Sequence, residues 1–156
     1  MRIEIVDYDH PDSVWLIDEL QQEYVRRYGE PDLTPVDPAE FAPPEGLFLL
    51  GYLDGRPVAS GGWRVHDGSE PGFQDGDAEL KRMFIAPDVR GNGLARRMLS
   101  ELESSAGLAG RTRLVLETGT RQPEAIGLYV SCGYVETVKF GVYRDDPLSR
   151  CFAKNL

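Results

Sequence analysis

The stretch ELKRMFIAPDVRGNGLARRML, Glu79 to Leu99, holds the densest chemical signal in the chain. It reads as a strand, a short connection through Pro87, the turn Arg90-Gly91-Asn92-Gly93-Leu94-Ala95, and an amphipathic helix over Gly91 to Ala106 with Leu94, Met98 and Leu102 at every fourth residue. Glycines at 91 and 93 let the backbone come close to a ligand. Amides at a helix start point outward with the positive end of the helix dipole behind them, which suits a diphosphate. Arg90, Arg96 and Arg97 add a cationic cluster to a protein of net charge -9.

Other chemistries find less support. A Walker A loop needs Gly-Lys-Ser/Thr after its last glycine, and a dinucleotide fingerprint wants a glycine where Arg96 stands. His10 and His66 lie far apart, and Cys132 and Cys151 have no Cys-x-x-Cys spacing, so neither a metal site nor a Ser-His-Asp triad is expected. Neither cysteine has beside it the helix start, histidine or metal that favours a thiolate, so a covalent acyl-cysteine route is disfavoured. The working groups must be carboxylate, phenol, backbone and cofactor.

The elements that position these groups follow from periodicity and punctuation. Arg2 to Val6 alternates as a half-buried strand. Asp12 or Ser13 is the candidate N-cap of a helix carrying Ile17, Leu20, Tyr24 and Tyr28, closed by Gly29. Five prolines between Glu30 and Gly46 restrict that segment to a loop with at most one short helical turn, near Pro38 to Phe41. LFLLGYL and PVASGGWRV flank Asp54-Gly55 as a hairpin, and DGSEPGFQDGD is an acidic loop. After the glycine turn and its helix come the strand RLVLE, the short helix PEAIGLYVSC with Pro123 near its start and Gly133 past its end, and two closing strands. The order β-α-loop-β-β-β-α-β-α-β-β predicts a mixed α/β domain, helices against a central sheet.

Arg-Gly-x-Gly-x-Ala behind a strand and a Pro-containing turn resembles the acetyl-CoA pyrophosphate motif of the GNAT N-acetyltransferase superfamily. The element order matches that fold from about Arg2 to Leu156, and Ala125, Leu128, Tyr129, Gly133 and Tyr134 match the family pattern A-x-x-L-Y-x-x-x-G-F/Y. The ending, with LETG before the last helix, is similar to a bacterial subgroup acting on metabolites. The resemblance implies a mixed, mostly antiparallel, twisted sheet of about six to seven strands with helices on both faces. It implies acetyl-CoA as cofactor, with Arg90, Gly91, Asn92, Gly93, Leu94, Ala95 and Arg96 at its diphosphate and Met83, Phe84 and Ile85 along its pantetheine arm. It makes Glu79 the candidate base and Tyr129 the residue facing the sulfur. The chain departs from several relatives in having ETGTRQP, Glu117 to Pro123, where they carry asparagines.

Acetyl transfer to an amine in a ternary complex needs a group to take the amine proton and a donor for the leaving sulfur. A phenol near 10 and a thiol near 8.5 leave full protonation uphill by roughly 2 kcal/mol, so Tyr129 need only donate a hydrogen bond. Backbone N-H groups near Phe84 would hold the thioester carbonyl. In the family the equivalents of the acidic loop (Glu70, Asp75, Asp77) and of Glu40 and Phe41 rim the acceptor cleft, which favours a cationic amine; solvated surface is the equal alternative. Trp63 and Tyr52 either line the pocket or belong to the core.

Bulk properties agree with this reading. A chain of 156 residues, 41% hydrophobic and 28% charged, fits one domain spanning 1 to 156. No apolar run reaches the ~20 residues of a membrane span, and MRIEIVDYD lacks a signal peptide's apolar stretch, so a cytoplasmic protein without membrane attachment is expected. A pI near 4.7 argues against nucleic acid as partner. A homodimer is suggested because relatives are often dimers. The expected acceptor is a small-molecule amine; protein amines, or acyl-CoA binding without catalysis, are the rivals.

Overall fold

The computed structural model describes residues 1 to 156. Strand β1 (Arg2–Ile5) leads to helix α1 (Pro11–Tyr28), whose start is set by Pro11: lacking an N-H, proline suits the first helical position. His10 is therefore the cap, its Nδ1 accepting from the Asp12 amide at 3.1 Å, in place of the expected Asp12 or Ser13. A short 3-10 turn at Pro38–Phe41 forms where one was expected. Strands β2 (Gly46–Leu53), β3 (Arg56–Val65) and β4 (Asp77–Ile85) follow, then α2 (Leu94–Leu108), β5 (Arg113–Gly119), α3 (Pro123–Ser131), β6 (Val135–Glu136) and β7 (Ser149–Asn155). Helix α2 begins three residues later than its periodicity suggests, because Gly91 and Gly93 adopt φ of 82° and 76°, which no right-handed helix contains.

The strands form one seven-stranded sheet in the order β1-β2-β3-β4-β5-β7-β6. Every neighbouring pair is antiparallel except β4 and β5, the mixed arrangement expected. Alternation along β2 shows the layers: Leu47 and Leu49 pack with Met98, Leu99 and Leu102 of α2, while Phe48 and Leu50 pack with Leu16 and Leu20 of α1. Helix α1 thus covers one face, and α2 and α3 the other. Each such fully buried side chain contributes roughly 1.5 to 3 kcal/mol, so both faces hold the sheet firmly. Trp63 belongs to the α2-side core and Tyr52 to the α1-side one.

Two irregularities in β4 matter for function. Its parallel pairing with β5 runs only from Asp77↔Arg113 to Glu79↔Val115, although β4 continues to Ile85 and β5 to Gly119. Beyond that point the strands part. In addition, Ser60 and Gly62 of β3 face Phe84 and Lys81, so β4 carries one extra residue, and Arg82 sits there with φ of 59°.

Candidate active site

The parting of β4 and β5 opens a gap through the sheet, and a cavity of about 180 Å³ occupies it. Leu80 to Met83 form one wall and Leu116 to Gly119 the other. Tyr24 and Tyr28 of α1 close the gap on one face, and Ala125 and Tyr129 of α3 reach it from the other side. The two helices are tied together beside it: the Tyr28 hydroxyl donates to Gln122 Oε1 at 3.1 Å, and Arg27 pairs with Glu124. Backbone edges that lack a partner strand remain free to bond a linear ligand threaded between them.

The glycine turn lies at the end of β4. Backbone N-H groups of residues 91 to 96 meet no acceptor within the chain, the first helical bond being Arg97 N-H to the Gly93 carbonyl at 3.2 Å. No side chain caps α2. A Cβ added at Gly91 or Gly93 would meet nothing within 4 Å, so the glycines answer a backbone requirement and leave open space before the helix. Such a row of unspent donors at a helix start fits the diphosphate of coenzyme A. Asn92 stiffens the turn, its Nδ2 donating to the Val89 carbonyl at 3.0 Å. Two of the arginines also bond to neighbours of the turn. Arg90 donates from Nη2 to Glu23 of α1 (2.9 Å) and from Nε to the Ile85 carbonyl (2.9 Å), while Arg96 donates to Ser131 Oγ (2.6 Å) and Cys132 Sγ (3.3 Å). They brace the turn against its neighbours.

Tyr129 stands on α3, only 7% exposed and edge-on to Tyr134 with ring centres 5.7 Å apart. Its hydroxyl has no partner within the chain, and no buried side-chain polar atom lacks one, so that hydroxyl opens to the cavity. Burial pushes the phenol well above its usual range, with Cys132 adding to the effect. It is a hydrogen-bond donor that keeps its proton.

Glu79 lies on the α1 face of β4, 4% exposed, accepting from Arg64 Nε at 2.8 Å. Arg64 also donates to Glu40 Oε1 and the Pro35 carbonyl. Glu79 is outside the cavity wall. The carboxylate that does line it is Glu117 on β5, which sequence reasoning placed only in a segment departing from the family pattern. Burial pushes its carboxyl up to about 7, against the pull of Lys81 and of the Ser149 hydroxyl 3.2 Å away. A buried carboxylate titrating near neutrality is suited to proton transfer. Its signal in the sequence was the charged residue ending the apolar run RLVLE.

The outer wall also differs from expectation. Asp77 is wholly buried against Arg113 (2.7 Å), Asp75 bonds the Gly68 amide, and Phe41 packs in the α1-side core; none reaches the cavity. The acidic loop folds onto the opposite end of β4, where β4 and β5 are still paired. Glu30 to Asp32, just after α1, and Tyr143 to Ser149 close the cavity instead.

Known proteins give this geometry a context. The sequence matches the model of the acetyltransferase (GNAT) family over residues 16–134. An IAA acetyltransferase of Azospirillum brasilense is 35% identical over 143 residues, 92% of this chain and 90% of the relative. A Klebsiella pneumoniae structure assigned to the acyl-CoA N-acyltransferases aligns at a TM-score of 0.78 and 29% identity, over 99% of this chain and 97% of that one. The PaiA N-acetyltransferase of Thermoplasma acidophilum, solved with coenzyme A, shares the fold at a TM-score of 0.71 and 15% identity over 100% of both chains. No helix of this chain is long and apolar enough to cross a membrane. Because the family match runs from α1 through Tyr134, taking in the glycine turn, the split between β4 and β5 and Tyr129, the chain belongs to the acetyltransferase (GNAT) family and is an acetyl-CoA-dependent N-acetyltransferase.

Proposed function

We propose that this chain is a single-domain enzyme acetylating the amine of a small molecule, such as an amino acid, a polyamine or a related metabolite, by direct transfer in a ternary complex. The observation that carries this reading is the walled cavity on the α1 face. The segment after α1 and the loop before β7 are tied at its edge by the Leu33 amide donating to the Tyr143 hydroxyl at 2.8 Å, which favours a small acceptor over a peptide lying in a groove. The name of the Azospirillum relative, an IAA acetyltransferase, supports the same choice. Two free thiols, Cys132 and Cys151, support a reducing compartment such as the cytoplasm.

Acetyl-CoA, when bound, supplies the acetyl thioester. Amides 91 to 96 would hold its diphosphate, and the free edge of β4 at Met83, Phe84 and Ile85 would bond its pantetheine arm. Glu117 takes the proton that the attacking amine gives up as the new C-N bond forms. Tyr129 would donate a hydrogen bond to the leaving sulfur of the thioester, stabilising it without a full proton transfer. Glu79 serves this arrangement by holding Arg64, and through it the chain around Pro35 and Glu40, against the sheet.

Free-thiol release from acetyl-CoA, measured across amino acids, polyamines and peptides with free N-termini or lysines, tests the reading. Turnover with small amines is expected. Turnover confined to peptides overturns it.

A further inference from the structure

The cavity contains two cations that the transfer itself does not use. In a regular strand Lys81 and Arg82 would point to opposite faces. The extra residue in β4 and the left-handed backbone of Arg82 bring both to the α1 face, where Lys81 Nζ and Arg82 Nη1 donate to the same oxygen, Asp32 Oδ2, at 2.8 and 2.7 Å. A non-glycine residue in that conformation costs roughly 1 to 2 kcal/mol. The cost is offset by the Ser60 hydroxyl donating to the Arg82 carbonyl at 2.9 Å and by Arg82 Nε donating to the Tyr8 hydroxyl at 3.1 Å.

The direct contacts at Asp32 are unequal, and the neighbouring carboxylates on this face, Glu79 and Glu40, are both taken up by Arg64. Two buried cations, with side chains 9% and 5% exposed, share one carboxylate, whose other oxygen accepts from the Thr34 amide at 2.9 Å. Lys81 has spent one of its three N-H donors, and Arg82 Nη2 bonds nothing within the chain. Glu117, the next carboxylate along the wall, has its carboxyl pushed up by burial and is hydrogen-bonded by the Ser149 hydroxyl and by neither cation. Glu30 and Asp146 are exposed on the outer side. Cations removed from water call for a second anion with good hydrogen-bond geometry.

Resting on the reading of this cavity as the acceptor pocket, we infer that the acceptor is an amine that also bears a carboxylate, bound by the free donors of Lys81 Nζ and Arg82 Nη2 with its amine turned toward Glu117. Amino acids fit this description. Polyamines and simple alkylamines, which bring only positive charge, do not. The pocket would thus select against the cations that the acidic surface attracts.

The test compares standard L-amino acids, β-alanine and γ-aminobutyrate, each with its carboxamide and its decarboxylated amine, by thiol release and by thermal shift in the presence of coenzyme A. The acid is expected to exceed its amide roughly 10- to 100-fold in kcat/KM. Lys81→Met should shrink that ratio mainly through KM, and Lys81→Arg should restore part of it. Should Lys81→Met fail to fold, the comparison of acid and amide on the unaltered protein still decides. Amides or decarboxylated amines performing as well as the acids overturn the inference, as does an acid preference that survives in Lys81→Met. The two readings separate in the binding arm: acids that raise the melting temperature through Lys81 without being acetylated sustain the anion site and sink the acceptor role. Acetylation that ignores the carboxylate does the reverse.

Discussion

Glu79 Oε1 accepts from Arg64 Nε at 2.8 Å, with both side chains almost wholly excluded from solvent. That bond separates two glutamates that are alike in sequence and different in the folded protein. Glu79 is paired; Glu117 faces the cavity.

Glu79→Gln takes a buried charge from beside Arg64, which keeps Glu40 at 3.1 Å and the Pro35 carbonyl, so the cost stays below that of a fully stranded partner, about 3 to 5 kcal/mol. Glu79→Gln is therefore expected to lower the melting temperature clearly. The rate at permissive temperature should keep its dependence on a group titrating near pH 7. Loss of that dependence in Glu79→Gln would transfer the base role to Glu79.

Glu117→Gln should behave in the opposite way. A base works only when ionised, so with its carboxyl pushed up to about 7 the rate should fall as pH drops through 7. The variant is expected to lose roughly 10²- to 10⁴-fold in kcat at pH 8, to lose that acid limb, and to retain acetyl-CoA affinity. Stability follows from the raised pKa. The unfolded chain gives up this proton near 4.5 and the folded chain near 7, so folding stability declines as pH rises between them. Glu117→Gln avoids that penalty and should melt at or above the unaltered protein at pH 8. A pH-rate profile with a calorimetric scan checks both.

Tyr129→Phe removes a hydroxyl whose only open partner is the cavity. A fall in kcat of about 10²-fold is expected, the usual effect of deleting one donor to developing charge. Coenzyme A affinity and melting temperature should hardly move, since the ring and its contact with Tyr134 remain. Unchanged turnover would make the phenol a packing residue.

Gly93→Ala places a Cβ in open space, so crowding in the free protein is not the issue. The cost arises from φ of 76°, roughly 1 to 2 kcal/mol, and from a methyl group projecting where the diphosphate would lie. A lower melting temperature is expected together with a weakened thermal shift at saturating acetyl-CoA. A full shift in this variant would move the cofactor away from the turn.

Local signals carried much of this protein. Proline and glycine place the ends of α1 and α3 and the 3-10 turn at Pro38, because each sets the backbone range at its own position whatever surrounds it, proline by fixing φ and glycine by admitting positive φ. Gly91 and Gly93, with Leu94, Met98 and Leu102 behind them, made the turn and helix legible for the same reason; Tyr129 was found through the family pattern around it. Whether a carboxylate is paired or free depends instead on partners distant in the chain. Arg64 reaches Glu79 only because β3 and β4 pair, and Glu117 meets the cavity only because β4 and β5 part after Glu79. Asp32 gathers Lys81 and Arg82 only because one extra residue in β4 turns two neighbours to the same face. The backbone range open to a proline or a glycine is a property of that single residue and can be read from it; charge pairing, burial and the shape of a gap are properties of the packed sheet, and only folding decides them.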